Sequence, residues 1–186
     1  MPRVGLDAET VVSAAAELAD ADGLSQLTLA RLAARLGVRA PSLYVHVDGL
    51  PDLRRRLSVR GARELGAALA STAAGLAGED ALRAVATTYR DYARAHPGVY
   101  SALQLPPRKG EGPDDGDAAR ALVDVVVAVL RGYDLEGDDA IHAVRVVRAA
   151  LHGFVSLETG GGFGLPLDLD ESFDRLITAL HRGLAA

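Results

Sequence analysis

The chain has 186 residues, 49% of them hydrophobic and 24% charged, which is enough apolar sequence to bury the core of one or two small domains. It contains no cysteine, which excludes a disulfide framework, a thiolate nucleophile and a cysteine-ligated metal site. The formal net charge of −5 at pH 7 argues against a protein that coats nucleic acid with its whole surface.

The charge is unevenly distributed along the chain. Residues 1–63 contain nine arginines and seven acids, a balance of +2, whereas the remainder contains eleven basic residues and eighteen acids, a balance of −7. Only the first third is therefore suited to a phosphate backbone.

No segment has the pattern of a signal peptide or of a membrane span. The longest apolar run, 121–130, is short and is interrupted by Asp124. We therefore expect a cytoplasmic protein that does not enter a membrane.

Apolar residues recur at intervals of three and four, which predicts helices and no strand. A first helix is expected at 7–21 with Asp7 as its N-cap, and a second runs from Thr28 to Gly37. The third helix, 40–47, has a proline in its first turn, where the missing N–H is tolerated.

A long fourth helix begins at residue 51, ends near residues 75–78 and connects the two halves of the chain. Polar loops with clustered Pro, Gly and Asp are expected at 106–116 and 160–170. The remaining helices are predicted at 79–96, 98–103, 117–133, 138–159 and 171–184.

The second and third helices have the features of a helix-turn-helix unit. Ala33 offers a small side chain where two helices cross, and Gly37 tolerates the positive φ of the turn. Leu32, Leu36, Val38 and Leu43 would lock the pair together. The residues left to face the major groove are Arg39, Ala40, Pro41, Ser42, Tyr44 and His46.

A surface helix pair without DNA-binding activity remains the alternative, since such spacing also arises by chance in an alanine-rich chain. The arginines at 54, 55, 56 and 60 add positive charge, although such a run is more often a solvated face.

Three segments, LTLARLA (27–33), LGV (36–38) and APSLYVHV (40–47), resemble the N-terminal domain of TetR-family transcriptional regulators. The resemblance implies that the third helix is the recognition helix, with Tyr44 and His46 facing DNA, and that Thr28 holds a phosphate. The family's lysine at the start of the fourth helix is missing here, where residues 48–51 read DGLP. Its phosphate contact is expected to pass to helix-terminal amides or to Arg54 or Arg55.

The C-terminal half is also similar to this family. The segments YRDYA (89–93) and HPGVY (96–100) match it, and ALHGFVSLE (150–158) resembles the element that names the WHG-type C-terminal domain, with Leu151 in place of the tryptophan. The implied all-α fold has an N-terminal three-helix bundle, residues 1–48, that contains the helix-turn-helix. A long helix joins it to a larger helical ligand-binding and dimerisation domain, residues 49–186.

Gly153 lies inside a strong helix, where glycine costs about 1 kcal/mol relative to alanine, so a close helix approach is expected there. The last two helices could form a four-helix bundle across a two-fold axis, which predicts a homodimer, or the same residues could be intrachain core. The predicted dimer residues are Ala149, Gly153, Phe154, Leu157, Phe173, Leu176, Ile177 and Leu180.

The family resemblance also implies a pocket in the C-terminal domain for a small apolar or amphipathic effector, with no cofactor. Each candidate lining residue could equally be ordinary core. The candidates are Tyr89, Tyr92, Leu103, Val125, Val129, Ile141, Val144 and His152.

A helical enzyme and a dimeric adaptor that does not bind DNA are the alternative functions. His142 with Asp139 is the nearest arrangement to a metal-ligand pair, and Asp139 is better explained by the helix dipole, so no catalytic or metal site is expected. The outward Arg39, Tyr44 and His46 argue against the adaptor.

The expected mechanism is that of a repressor, with activation as the alternative. A homodimer would place two recognition helices in successive major grooves, roughly 34–36 Å apart, on a palindromic operator in double-stranded DNA. An effector bound in the C-terminal domain would change this spacing and release the DNA.

Overall fold

The computed structural model describes residues 6–105 and 113–186, and over these ranges the regular structure is helical with no strand. This confirms the all-α prediction. Short 3-10 helices span Leu24–Gln26, Ala40–Val45 and Arg131–Tyr133. The α-helices are α1 Ala8–Asp22, α2 Leu29–Leu36, α3 Gly49–Ala73, α4 Gly78–Ala95, α5 Pro97–Leu103, α6 Pro113–Leu130, α7 Gly137–Thr159 and α8 Leu169–Leu184.

Polar side chains begin three of these helices. Asp7 accepts a hydrogen bond from the backbone N–H of Thr10 at 2.7 Å, Thr28 caps α2, and Asp168 accepts from the first turn of α8. Each cap satisfies N–H groups that have no partner inside the helix. The N-caps predicted at Asp7 and Thr28 are confirmed.

Several predicted boundaries are wrong by a few residues. The third helix is a 3-10 helix that ends at Val45, α3 begins at Gly49, and α8 begins at Leu169. α6 begins at Pro113, inside the predicted loop 106–116, because proline suits the first helical position. Residues 106–112 of that loop lie outside the described residues.

The chain divides into two compact units. The first contains the chain up to Arg63 together with residues 95–118, and the second contains 64–94 and 119–186. Helix α5 therefore belongs with the N-terminal helices. The domain boundary predicted at residue 48 stays a prediction.

The core of the first unit is built from α1, α2, the 3-10 helix 40–45, the start of α3 and α5. Its apolar residues lie at helical spacing, so each element contributes one face. The fully buried members are Val11, Ala15, Ala19, Leu27, Leu32, Leu43, Leu53, Leu57 and Ala102.

In the second unit, α7 is one helix among the described residues that is long and apolar enough to cross a membrane. Its buried residues recur on one side, from Ala140 to Val155, while Arg145 and Arg148 are exposed. An amphipathic helix that packs one side against its own chain has this pattern. We therefore interpret α7 as an amphipathic helix that packs on one side.

Candidate nucleic-acid interface

The start of α2 is exposed and carries a hydroxyl group. Thr28 has an extended backbone, and its Oγ1 accepts a hydrogen bond from the N–H of Arg31 at 3.2 Å. A hydroxyl that accepts one hydrogen bond keeps its own proton for donation. Thr28 therefore combines a donor with a helix N-terminus, and its phosphate contact stays a prediction.

The turn after α2 depends on Gly37. This residue has φ of 67°, and the N–H of Val38 donates to the carbonyl of Ala33 at 3.0 Å while the N–H of Gly37 donates to Ala34 at 3.2 Å. These two bonds satisfy the last carbonyls of α2. Ala33 is buried, so the positive φ and the small contact residue expected from the sequence are both present.

The segment expected to be the recognition helix is a 3-10 helix, Ala40–Val45. Leu43 is fully buried in the core of the first unit, and the N–H groups of His46 and Val47 both donate to its carbonyl, at 2.9 and 3.0 Å. Leu43 thus anchors a short segment in which Pro41, Ser42, Tyr44 and Val45 are exposed.

Most of the residues expected to face DNA are exposed. Arg39, Pro41, Ser42 and Tyr44 are exposed, whereas Ala40 and His46 are half-buried and Ala40 packs against the core. The sequence reasoning missed Val45, which is 82% exposed. The only signal for it was its place between Tyr44 and His46.

The arginines at the start of α3 are largely engaged with one carboxylate. Arg55 Nη2 and Arg56 Nε donate to the two oxygens of Asp52 at 2.6 and 2.9 Å. Burial alone would raise the pKa of Asp52, but hydrogen bonds from Arg55, from the backbone of Asp48 and from Arg56 lower it. Arg55, a predicted phosphate contact, is therefore held by an acid.

The other two arginines differ from this pair. Arg60 Nη1 donates to Ser13 of α1 at 2.8 Å, which ties α3 to α1. Arg54, also a predicted phosphate contact, is half-buried, and among the described residues its Nε is buried without a hydrogen-bond partner. The predicted contacts by Arg54 and Arg55 stay predictions.

The basic residues of α2 pair with acids of α1. Arg31 Nη2 lies 2.6 Å from Asp22 Oδ2, and Arg35 Nη2 lies 2.6 Å from Glu17 Oε2. These pairs reduce the net positive charge of α2. Arg39 is thus the cation that the exposed segment itself presents.

Helix α5 is capped by a residue of α1. The Oδ1 atom of Asp20 accepts hydrogen bonds from the N–H groups of Gly98 and Val99 at 2.8 and 2.9 Å, and its Oδ2 lies 3.2 Å from His96 Nδ1. A Cβ on Gly98 would lie 2.1 Å from the carbonyl carbon of Ala19. The motif HPGVY (96–100) therefore lets α5 approach the backbone of α1.

The predicted effector residues are divided between the units. Leu103 belongs to the first unit and packs beside Gly61, and Ile141 is 40% exposed on α7. In the second unit Tyr92 is buried, and its hydroxyl donates to Glu64 Oε2 at 3.0 Å. Tyr89, Val129 and Val144 are also buried there, and Val125 and His152 are half-buried. Burial and then the nearby Arg148 lower the pKa of His152.

The predicted dimer residues fall into two groups. Phe173, Ile177 and Leu180 are buried within their own chain, as the intrachain alternative expects. Ala149 and Leu157 are exposed, and Gly153, Phe154 and Leu176 are half-buried. A Cβ on Gly153 would meet nothing within 4 Å, so no part of the described chain explains this glycine.

A buried arginine joins three helices of the second unit. Arg90 of α4 donates to both carboxylate oxygens of Glu158, at 2.9 and 2.5 Å, and lies 2.8 Å from Asp170. Its guanidinium also lies 4.7 Å from the ring centroid of Phe173 and 5.5 Å from that of Phe154. The hydrogen bond from Arg90 lowers the pKa of Glu158 although burial opposes it.

Residues 82–180 match a family model described as a tetracyclin repressor-like C-terminal domain. The chain is 39% identical over 179 residues to an uncharacterized HTH-type transcriptional regulator of Mycobacterium tuberculosis. This match covers 96% of this chain and 82% of that protein. It is 36% identical over 183 residues to a second uncharacterized HTH-type transcriptional regulator, YobS of Bacillus subtilis, covering 98% and 95% of the two chains.

The fold also resembles a solved structure, a single-residue variant of TetR from Acinetobacter baumannii in complex with minocycline. The TM-score is 0.71 at 23% sequence identity, and the match covers 96% of each chain.

Proposed function

Since this chain belongs to the TetR family of DNA-binding transcriptional regulators, we propose that it acts as a homodimer on a palindromic operator and is released by a small-molecule effector. Repression by occlusion of a promoter is the proposed outcome of operator binding. Operator binding requires access to the chromosome, so the proposal includes a cytoplasmic location. We propose regulation and not catalysis as its function.

The exposed segment after Gly37 carries the proposal of operator recognition. A buried Leu43 fixes the segment, while Arg39, Ser42 and Tyr44 stay accessible. These side chains offer a cation and two hydroxyl groups, which can donate to base edges and phosphates. Thr28, at the N-terminus of α2, supplies a further hydrogen-bond donor for a phosphate of the DNA backbone.

The unexplained glycine of α7 supports the proposed homodimer. Val146, Gly153 and Leu157 lie on one side of the helix, where Val146 is 56% exposed and Leu157 is 49% exposed. This side is distinct from the buried side of α7. A second copy could pack closely over Gly153 and cover both apolar residues.

The proposed effector site lies in the second unit. The similar TetR structure was solved in complex with minocycline. The polar groups would come from His152 and from Tyr92, which is hydrogen-bonded to Glu64. Leu103 is not included because it lies in the first unit, and Ile141 is not included because it is exposed. The apolar surroundings would come from Tyr89, Val125, Val129 and Val144.

Operator binding is tested by in vitro selection from a random duplex library, followed by fluorescence anisotropy on the selected sequence and on a scrambled one, at two salt concentrations. We expect nanomolar, salt-dependent binding that prefers the selected sequence by about a thousandfold. A Tyr44→Ala variant should lose most of this preference while its circular dichroism melting curve stays the same, because Tyr44 is exposed.

Failure to enrich any sequence, or equal affinity for selected and scrambled DNA, would contradict the proposal.

Once operator binding is established, the effector is sought by thermal-shift screening of amphipathic small molecules, and each stabilising compound is added to the operator complex. An effector must raise the Kd for the operator, since a ligand shifts an equilibrium only through its preference for one state.

A further inference from the structure

Val45 is an apolar residue with a strongly exposed side chain. At 82%, it is the most exposed large apolar side chain among the described residues. Leu43 and Val47, two residues before and after it, are only 0% and 2% exposed, so these two side chains fix the segment to the core of the first unit. Val45 therefore serves no packing role within the chain.

The surroundings of Val45 define what it can recognise. It follows Tyr44, 62% exposed, in the same segment that exposes Arg39 and Ser42. A valine side chain has no hydrogen-bond donor, so it cannot hold a phosphate or read the polar edge of a base. The major-groove edges of the base pairs carry one apolar group, the C5-methyl of thymine.

The shape of valine suits such a contact. Its β-branched side chain has restricted χ1 rotation, so it loses little conformational freedom when it packs against a methyl group. The segment that carries it is fixed at the buried Leu43. The apolar surface of Val45 is thus presented in a defined place beside the polar side chains.

We propose that Val45 is a specificity-determining residue that packs against the C5-methyl of one thymine in each operator half-site. This inference rests on the operator binding proposed above and adds a base preference to it. Sequence preference at that position then comes from an apolar contact, independent of the hydrogen bonds made by Arg39, Ser42 and Tyr44.

The test replaces each thymine of the selected operator in turn with deoxyuridine, which removes only the C5-methyl. For the unchanged protein, one symmetric pair of replacements should raise the Kd about fourfold per half-site, the effect of one buried methyl group. Val45→Ala should bind the thymine operator more weakly by a similar factor and should no longer distinguish thymine from deoxyuridine at that position.

Two further variants separate this contact from other effects. Tyr44→Phe keeps Val45 and should retain the response to deoxyuridine, whatever its overall affinity. Leu76→Ala removes another exposed apolar side chain, 45% exposed and outside the helix-turn-helix, and should bind both operators as the unchanged protein does.

The outcomes distinguish this inference from the proposed function. If no DNA is bound specifically, both fail together. If the operator is bound specifically but Val45→Ala leaves affinity unchanged, or keeps the full response to deoxyuridine, the methyl contact is refuted and operator binding stands. In that case an exposed Val45 would point to a protein partner at this surface.

Discussion

Gly98 lies where the first turn of α5 meets the last turn of α1. The atoms nearest to its missing Cβ belong to the backbone of Ala19 and Asp20, which cannot rotate away as a side chain would. The same close approach brings the N–H groups of Gly98 and Val99 within reach of the Asp20 carboxylate. One small residue thereby permits both the packing and the cap.

We predict that Gly98→Ala lowers the free energy of unfolding by about 2 kcal/mol or more, because a new methyl group would overlap backbone atoms. Gly116→Ala is the matched control. Gly116 lies in α6 with nothing near its missing Cβ, so the change should stabilise the helix by about 0.5 to 1 kcal/mol. Urea unfolding of both variants measures the difference, and equal effects would refute the close approach.

Arg39 is an exposed cation directly before the proposed recognition segment, Ala40–Val45, whereas Arg55 is paired with Asp52. We predict that Arg39→Ala weakens operator binding and reduces the slope of log Kd against log salt by about one per chain, as expected for one lost phosphate contact. The measurement is anisotropy over a series of salt concentrations.

Arg175→Ala serves as the charge-matched control for Arg39. Arg175 is an exposed residue of α8 that pairs with Glu171, so its loss removes the same charge outside the helix-turn-helix. Its salt slope should equal that of the unchanged protein. An unchanged slope for Arg39→Ala would instead exclude Arg39 as a phosphate contact.

At the scale of residues, the sequence predicts caps and turns but does not predict which side chains pair with one another. Thr28 as an N-cap and Gly37 at positive φ depend on local rules, and both are present. The ion pair between Arg55 and Asp52 is also local. The sequence does not predict it, because an i, i+3 pair competes with solvation of both side chains and with other partners. The contact between Asp20 and α5 joins residues far apart in sequence, so no local pattern predicts it.

At the scale of elements, Arg90 links α4 to the end of α7 and the start of α8. Its side chain and that of Glu158 are 8% and 12% exposed, and the two form a bidentate ion pair. A buried ion pair is strongly destabilising to break, because the remaining charge loses its partner. We therefore interpret this contact as a clamp on the C-terminal helices.

We predict that Glu158→Gln lowers the free energy of unfolding by about 2 kcal/mol at pH 7, because Arg90 loses its bidentate partner but keeps the exposed Asp170. Because the hydrogen bond from Arg90 lowers the pKa of Glu158 in the folded state, its contribution is present above its ordinary pKa of 4.5 and is lost as the pH falls through the folded value. The difference between variant and unchanged protein should therefore shrink as the pH is lowered below about 4.5.

Urea unfolding at pH 7 and in the acid range, at one protein concentration, checks this prediction. Glu171→Gln is the control, since the Glu171 pair with Arg175 is exposed and should contribute about 0.5 kcal/mol or less. A difference between Glu158→Gln and the unchanged protein that is independent of pH would contradict the assigned role of the carboxylate.

Element types follow from the sequence more readily than element geometry does. Apolar periodicity and capping residues located the helices because both act within a few residues. The proposed recognition segment, Ala40–Val45, is a 3-10 helix of six residues, and over that length the apolar pattern does not distinguish a 3-10 helix from an α-helix. Pro41 near its start is compatible with both.

At the scale of the whole molecule, the chain alone leaves an apolar side of α7 exposed. We predict that Leu157→Arg shifts the protein from dimer toward monomer, raising the dimer Kd at least tenfold, because a charge would be buried in the interface. Leu157 is 49% exposed, so the monomer should remain folded. Sedimentation equilibrium measures the change.

Ile141→Arg is the control for this dimer test. Ile141 is 40% exposed and, by helical spacing, lies on the opposite side of α7 from Leu157. The control should leave the dimer intact. If both variants stay dimeric, the interface lies elsewhere.

The division of the chain into units was only partly accessible from the sequence. The predicted boundary at residue 48 follows the end of the helix-turn-helix, whereas the first unit also includes the start of α3 and helix α5. α5 joins that unit through Gly98 and Asp20, a contact visible only in three dimensions. Dimer residues are harder still to predict from the sequence. Phe173 and Leu157 both lie at helical apolar spacing, but Phe173 is buried within its own chain and Leu157 is exposed.

The most direct test of a dimer on a two-fold operator changes the spacing between the two half-sites. Sedimentation velocity of the selected operator with the protein should give two chains per duplex. Inserting five base pairs between the half-sites turns one of them by about half a helical turn and should raise the Kd at least a hundredfold. One chain per duplex, or an affinity indifferent to the insertion, would contradict recognition by a symmetric dimer.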